Sequence, residues 1–198
     1  MKENFLSLDE RDHAIDSLNQ SLSFLVNVEQ NPFNWKWFVI AFHNTLHSFM
    51  LLALQKSDLT GIWHNEHKMR VDDRFDVFSD KGKLIDFMTA FTWIQDHKRM
   101  SKYINSRPFE SKNISEITKC MKALNDDLRN QFIHFRPVAW GASPDYISGI
   151  CYPLVELLEF LSLKEIVPML PWREEAITEY IFCIKCLLKI HLTNSKDG

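Results

Sequence analysis

The sequence predicts an all-α protein, an up-and-down bundle of about five to six helices forming one domain over residues 1–198. Three observations carry this expectation. Apolar residues recur three and four apart through long segments, the spacing that lays one helix face on a core. Residues that start and stop helices punctuate those segments. Only 5 of the 198 residues are glycine, and no stretch alternates convincingly as a strand would.

Ser7 with Glu10 three residues later has the form of a capping box. Ile15, Leu18, Leu22, Leu25 and Val26 follow it at helical spacing. Asn31-Pro32 offers a cap and a first-turn proline for a second helix running to about Lys56. That helix is apolar nearly all round, so it belongs at the centre of the bundle. Residues 57–82 then lose periodicity and carry mixed charge, with Gly61 and Gly82 as punctuation. So long a connection marks an insertion or a functional loop.

A third helix is expected from about Lys83 to Asn105, with Leu84, Phe87, Met88, Phe91 and Ile94 inward. Asn113-x-x-Glu116 is a second capping-box pattern and opens a fourth helix. It must stop near Arg136, because Pro137 disfavours helical geometry in the residue before it. Ser143-Pro144 starts a fifth helix reaching about Leu163, with a kink expected at Pro153. A sixth spans about Trp172 to Leu192 and should bury Ile177, Tyr180, Ile181, Ile184 and Leu188.

The composition, 45% apolar and 25% charged, is that of an ordinary globular protein. The first residues lack the apolar run and small-residue site of a signal peptide. Trp35 to Leu54 is long enough to raise the question of a membrane span. Its interior holds His43, Asn44, His47 and Ser48, which favours a buried helix instead. Four cysteines without framework spacing imply free thiols and a cytoplasmic protein. Cys183-x-x-Cys186 sits in an apolar helical pattern with no second pair, a poor basis for a metal or redox site. The net charge of −3 hides an uneven spread: Ile94 to Arg136 carries 9 Lys/Arg against 5 Asp/Glu. Such a basic segment suits a phosphate site, and equally a solvated helix face.

The fourth helix carries the most informative stretch, "LRNQFIHF", residues 128 to 135. On a helical wheel Ile114, Ile117, Met121, Leu124, Leu128, Phe132 and Phe135 form one core stripe. Asp126, Asn130 and His134, four apart, fall on the opposite face, with Arg129 on the flank. Ala123 and Ile133 on that outward face give it the character of a partner surface. Two copies packed there by two-fold symmetry would bring both sets of polar residues into one cleft. The same residues also suit a plain helix end, where Arg, Asn and His satisfy the last carbonyls and the dipole.

Arg129-Asn130-Gln131-Phe132-Ile133-His134 resembles the R-polar-x-x-x-H signature of the HEPN superfamily, the higher-eukaryote and prokaryote nucleotide-binding domains. The likeness extends to the motif's place, late in a helix of an all-α bundle covering roughly residues 7 to 193. The segment 57–82 and the helix after Pro171 go beyond the minimal bundle. The resemblance implies a metal-independent endoribonuclease, often a toxin or defence effector, with a composite active site at a homodimer interface and no cofactor. Arg129, Asn130 and His134 are the positions it marks as catalytic.

The chemistry suits these residue types. RNA is cut when its 2′-hydroxyl attacks the adjacent phosphorus, which requires proton transfers and stabilisation of phosphoryl charge. A histidine near its ordinary pKa of ~6.5 can move those protons. An arginine offers a planar, permanently charged fork for phosphate oxygens. Lys119, Lys122 and Arg136 are candidates for backbone phosphates, although surface solvation explains them equally well.

Two rivals stand beside this reading. His43 and His47, four apart on one helix, have the spacing of zinc ligands, and His64 and His67 follow nearby. Asn44 stands where a zinc protease has its glutamate, which leaves a bundle-type metal hydrolase as the metal reading. The other rival is a non-catalytic binding module partnering a nucleotidyltransferase or another subunit, whereas a toxin would have an antitoxin as its partner.

Overall fold

The computed structural model describes residues 9–57, 60–64, 83–101, 106–134, 141–169 and 171–194. Helix α1 spans Glu10–Val26 and α2 spans Asn34–Leu54. Two short helices follow, α3 at Phe87–Trp93 and α4 at His97–Met100. A longer helical rod comes next: α5 at Ile114–Lys122, a π-helical segment at Ala123–Arg129, and α6 at Asn130–Ile133. Helices α7 at Pro144–Leu161 and α8 at Pro171–Asn194 complete the order. Among the described residues there is no strand, only an isolated antiparallel bridge between Trp63 and Leu84. The protein is an all-α bundle.

Helix α2 is its axis. It touches α1, α3, α4, the π segment, α6 and α7. Phe38, Phe42, Leu46, Phe49 and Met50 along it are fully buried. Among the described helices it alone is long and apolar enough to cross a membrane, and most of it is buried inside this fold. On α1, Ala14, Ser17 and Ser21 are buried small residues that let its backbone approach α2, while Leu18 and Leu25 fill the flanks. One apolar cluster runs from Ala14 through α2, α5, the π segment and α7 to Leu188. Ion pairs tie α8 to its neighbours, Arg173 to Asp12 at 2.6 Å and Lys185 to Glu159 at 2.6 Å.

Several elements differ in detail from the sequence reading. Asp9 caps α1, its carboxylate accepting from the Asp12 N–H at 2.7 Å, while Ser7 lies outside the described residues. Val26 ends that helix 55% exposed, off the core. Asn31-Pro32-Phe33 forms a tight turn, and α2 opens at Asn34. The expected single helix from Lys83 is two, because two aspartates each cap a new start. Asp86 accepts from Thr89 N–H at 2.9 Å, and Asp96 from Lys98 N–H at 2.8 Å. Leu84 is correspondingly 44% exposed, its segment extended against Trp63.

Gly61 has φ near 90°, and a Cβ there would collide with the Leu54 carbonyl oxygen, so the turn out of α2 requires glycine. Most of the 57–82 segment, from 65 onward, lies outside the described residues. Asn113 sits at the N-cap of α5 without a side-chain capping bond. Ser143 and Pro144 open α7 as expected, with Pro153 inside the helix. Along α8, Ile177, Ile181, Ile184 and Leu188 are buried and Tyr180 is half-buried. All four cysteines are free thiols.

The core stripe of the rod is legible in the numbers. Ile117, Met121, Leu124 and Leu128 are each 0% exposed, whereas Phe132 is only half-buried. Leu128→Ala should therefore cost about 2–5 kcal/mol of stability, and Phe132→Ala clearly less. Urea unfolding of the two variants beside wild type measures the order.

Candidate functional site

The motif sits where the helical rod changes pitch. Over Ala123–Arg129 the rod is a π-helix, with a wider turn than the α-helix on either side. The wider turn rotates the side chains that follow away from the positions an ideal wheel assigns. Leu124 and Leu128 stay on the core, while Asn125 and Arg129 come round toward α2. Ala123, expected on the outer face, is half-buried against the core.

Asn125 is the link between the two elements. Its Nδ2 donates to Asp126 Oδ1 at 2.7 Å, so its Oδ1 is the atom turned to His43 Nε2, 3.1 Å away. An amide oxygen only accepts, so His43 carries its proton on Nε2. The His43 ring lies flat on Phe87, centroids 4.0 Å apart and planes 20° from parallel. One turn further along α2, His47 Nε2 donates to the Ile85 carbonyl at 3.1 Å. Each imidazole therefore carries a proton on Nε2.

Burial holds His43 far below the ordinary histidine range, at about 4. The Asn125 hydrogen bond opposes that shift, and the positive charge of Arg129 reinforces it. His47 is also lowered, again mainly by burial, with Arg129 adding to the effect. Arg129 thus disfavours a positive charge on either ring, while the Asp86 carboxylate opposes it at His47.

Arg129 itself is half-buried. Its Nη1 donates to Asn130 Oδ1 at 2.9 Å, and its buried Nε has no hydrogen-bond partner. Among the described residues no carboxylate pairs with it. His134 is exposed and ends α6 in extended geometry, its N–H donating to the Asn130 carbonyl at 3.0 Å. Asn130 consequently joins the motif: its side chain holds Arg129 and its carbonyl holds the His134 backbone. Among the described residues no hydrogen bond joins the Arg129 and His134 side chains.

His134 lines an open groove of about 830 Å³ between the start of α2, the end of α6 and the start of α7. Phe33, Trp35, Lys36, Ile133 and His191 share its walls. Phe33 is 76% exposed and Ile133 43%. Of the expected phosphate contacts, Lys119 and Lys122 are exposed on α5, outside this groove. Arg136 lies outside the described residues.

The histidines considered as metal ligands have other partners here. The His43 and His47 rings are 6.3 Å apart at 64°, each with Nε2 in a protein hydrogen bond. His64 Nε2 lies 3.3 Å from Asp86 Oδ2, and His67 falls outside the described residues. No group of three or more His, Cys, Asp or Glu gathers in ligating geometry among the described residues. Sequence reasoning missed Asn125 and the pairing of α2 with the motif. The signal was a pair of histidines inside an otherwise apolar helix, which required polar partners somewhere.

The chain matches no protein-family model, no curated protein and no solved structure.

The buried histidine makes stability depend on pH. The unfolded chain protonates His43 near 6.5 and the folded chain only near 4, so the unfolded state binds more protons between those values. The contribution is complete above about pH 6.5 and is lost as pH falls toward 4, up to about 3 kcal/mol. His43→Gln, a neutral replacement, should flatten this part of the profile. Urea midpoints between pH 7 and 4.5 measure it.

Proposed function

We propose that this protein is a metal-independent endoribonuclease of HEPN type, working as a homodimer. The observation that carries the reading is the state of Arg129. It is a half-buried guanidinium oriented by Asn130, without an acidic partner among the described residues, and one helical turn before an exposed histidine. A buried charge of this kind is costly unless an anion completes it. A phosphodiester is such an anion, and the arginine fork matches its oxygens.

In this reading the substrate's 2′-oxygen bonds to phosphorus as the 5′-oxygen bond breaks, leaving a 2′,3′-cyclic phosphate. His134 takes the proton from the attacking hydroxyl or gives one to the leaving oxygen. Arg129 neutralises the charge that builds on the phosphoryl oxygens. Since no hydrogen bond joins Arg129 to His134 among the described residues, two copies facing each other across Ile133 and His134 would combine the arginine of one with the histidine of the other. A role as a toxin or defence effector acting on RNA in the cytoplasm follows from the same resemblance.

The second reading is a non-catalytic binding module. Exposed Ile133 and Phe33 beside the groove favour it, since apolar residues grouped at one rim suit a partner such as a nucleotidyltransferase or another subunit.

The purified protein should cut single-stranded RNA with EDTA present and leave 2′,3′-cyclic phosphate ends. His134→Ala should lower the rate about 10²–10⁴-fold while remaining folded. Arg129→Lys keeps the charge, loses the fork and should also lose most activity. Cleavage abolished by EDTA and restored by zinc would return the centre to His43 and His47. Intact RNA with a stable heteromer would establish the binding module.

A further inference from the structure

The polar residues of α2 sit where a core helix has least reason to carry them. His43 is 5% exposed, flat against Phe87, and its Nδ1 is buried without a partner. A leucine would pack this position without any unpaired atom. The histidine does one thing a leucine cannot: it donates to Asn125 from the far side of the helix interface. Asn125 lies in the middle of the π segment and Arg129 is its last residue, so whatever fixes the one sets the approach of the other.

The choice of neutral groups is equally informative. A carboxylate at position 43 would also reach toward the π segment, but it would pair with Arg129 and consume its charge. A histidine fixed with its proton on Nε2 holds the amide and leaves the guanidinium unspent. His47, tied to the Ile85 carbonyl, extends the same uncharged wall by one turn.

We propose that His43 and Asn125 are positioning residues of the Arg129 centre: their hydrogen bond pins the π segment against α2 and presents the arginine as an uncompensated cation toward a phosphodiester. The role of that phosphodiester rests on the nuclease reading, whereas the pinning of Arg129 does not.

An isosteric pair tests this. His43→Gln keeps a neutral amide that can donate to Asn125, and His43→Glu has nearly the same shape but is an acid facing Arg129. Two readouts are taken on full-length protein: RNA cleavage, and the NMR signal of the Arg129 Nε–H with its exchange with water. His43→Gln should keep cleavage within several-fold of wild type and leave the Nε–H signal in place. His43→Glu should lose about 10²-fold, the scale of a misplaced or spent catalytic group, mainly in kcat, and move the signal. Asn125→Ala should lose a similar factor and expose the Nε–H to exchange.

Should His43→Glu fail to fold, Asn125→Ala against His43→Gln makes the same comparison without a buried charge. If the folded His43→Glu and Asn125→Ala variants keep both wild-type cleavage and the wild-type Nε–H signal, the proposal is overturned. If wild type cuts no RNA, the nuclease reading fails by itself. The positioning role is then decided by the NMR signal alone, and an unchanged signal in both variants sinks it.

Discussion

The burial of α2 is the constraint on which the rest of the molecule depends. A helix of 21 residues that touches most other elements has almost no solvent-facing side on which to place polar groups. Each polar atom inside it must find a partner in a neighbouring helix or cost about 1–3 kcal/mol. Thr45 resolves this locally by bonding the Ala41 carbonyl at 2.9 Å, beside Ser21 of α1. His43 and His47 cannot, since an imidazole on an α-helix does not reach its own carbonyls well. One nitrogen of each ring is satisfied, by Asn125 on the π segment and by Ile85 before α3, while His43 Nδ1 stays unpaired. The two histidines thus tie the centre of the bundle to the π segment and to the residues that open α3.

The π segment is the other half of that arrangement. An α-helix carrying Leu124 and Leu128 on the core would have continued to turn Asn125 and Arg129 to one side of it. The wider turn keeps both leucines at 0% exposure and still brings Asn125 to His43. A π segment has poorer hydrogen-bond geometry and is rare, so it survives where surrounding contacts stabilise it. Here the leucines anchor it from the core side and the asparagine from α2.

Much of the fold was legible because it rests on periodicity. The core stripe from Ile117 to Leu128, the starts at Ser143-Pro144, and the buried face of α8 all follow from spacing and caps alone. What was not legible came from local competition between partners. Asp86 and Asp96 look like ordinary charged residues within one amphipathic run, yet each wins the N–H groups of a new helical turn. Ala123, expected outward, is half-buried against the core for a different reason. A wheel drawn at about 100° per residue cannot register a π turn, whose extra residue leaves no mark in the composition. The motif residues were visible in order, but the side of the rod that Arg129 faces was not.

The two histidines of α2 show why residue spacing alone under-determines chemistry. A four-residue separation brings two imidazoles to one helix face, and that holds whether they ligate a metal or bond to amides. What separates the cases is the direction in which the nitrogens are used. A ligand histidine directs one nitrogen to the metal and donates from the other to a carboxylate or carbonyl. His47 already makes that outer contact, to the Ile85 carbonyl, and His43 makes it to an amide oxygen. Besides burial, the Arg129 charge disfavours protonation of both rings, and the Asp86 carboxylate opposes it at His47. The four-residue spacing is spent here on hydrogen bonds to Asn125 and to the Ile85 carbonyl, two different neighbours of α2.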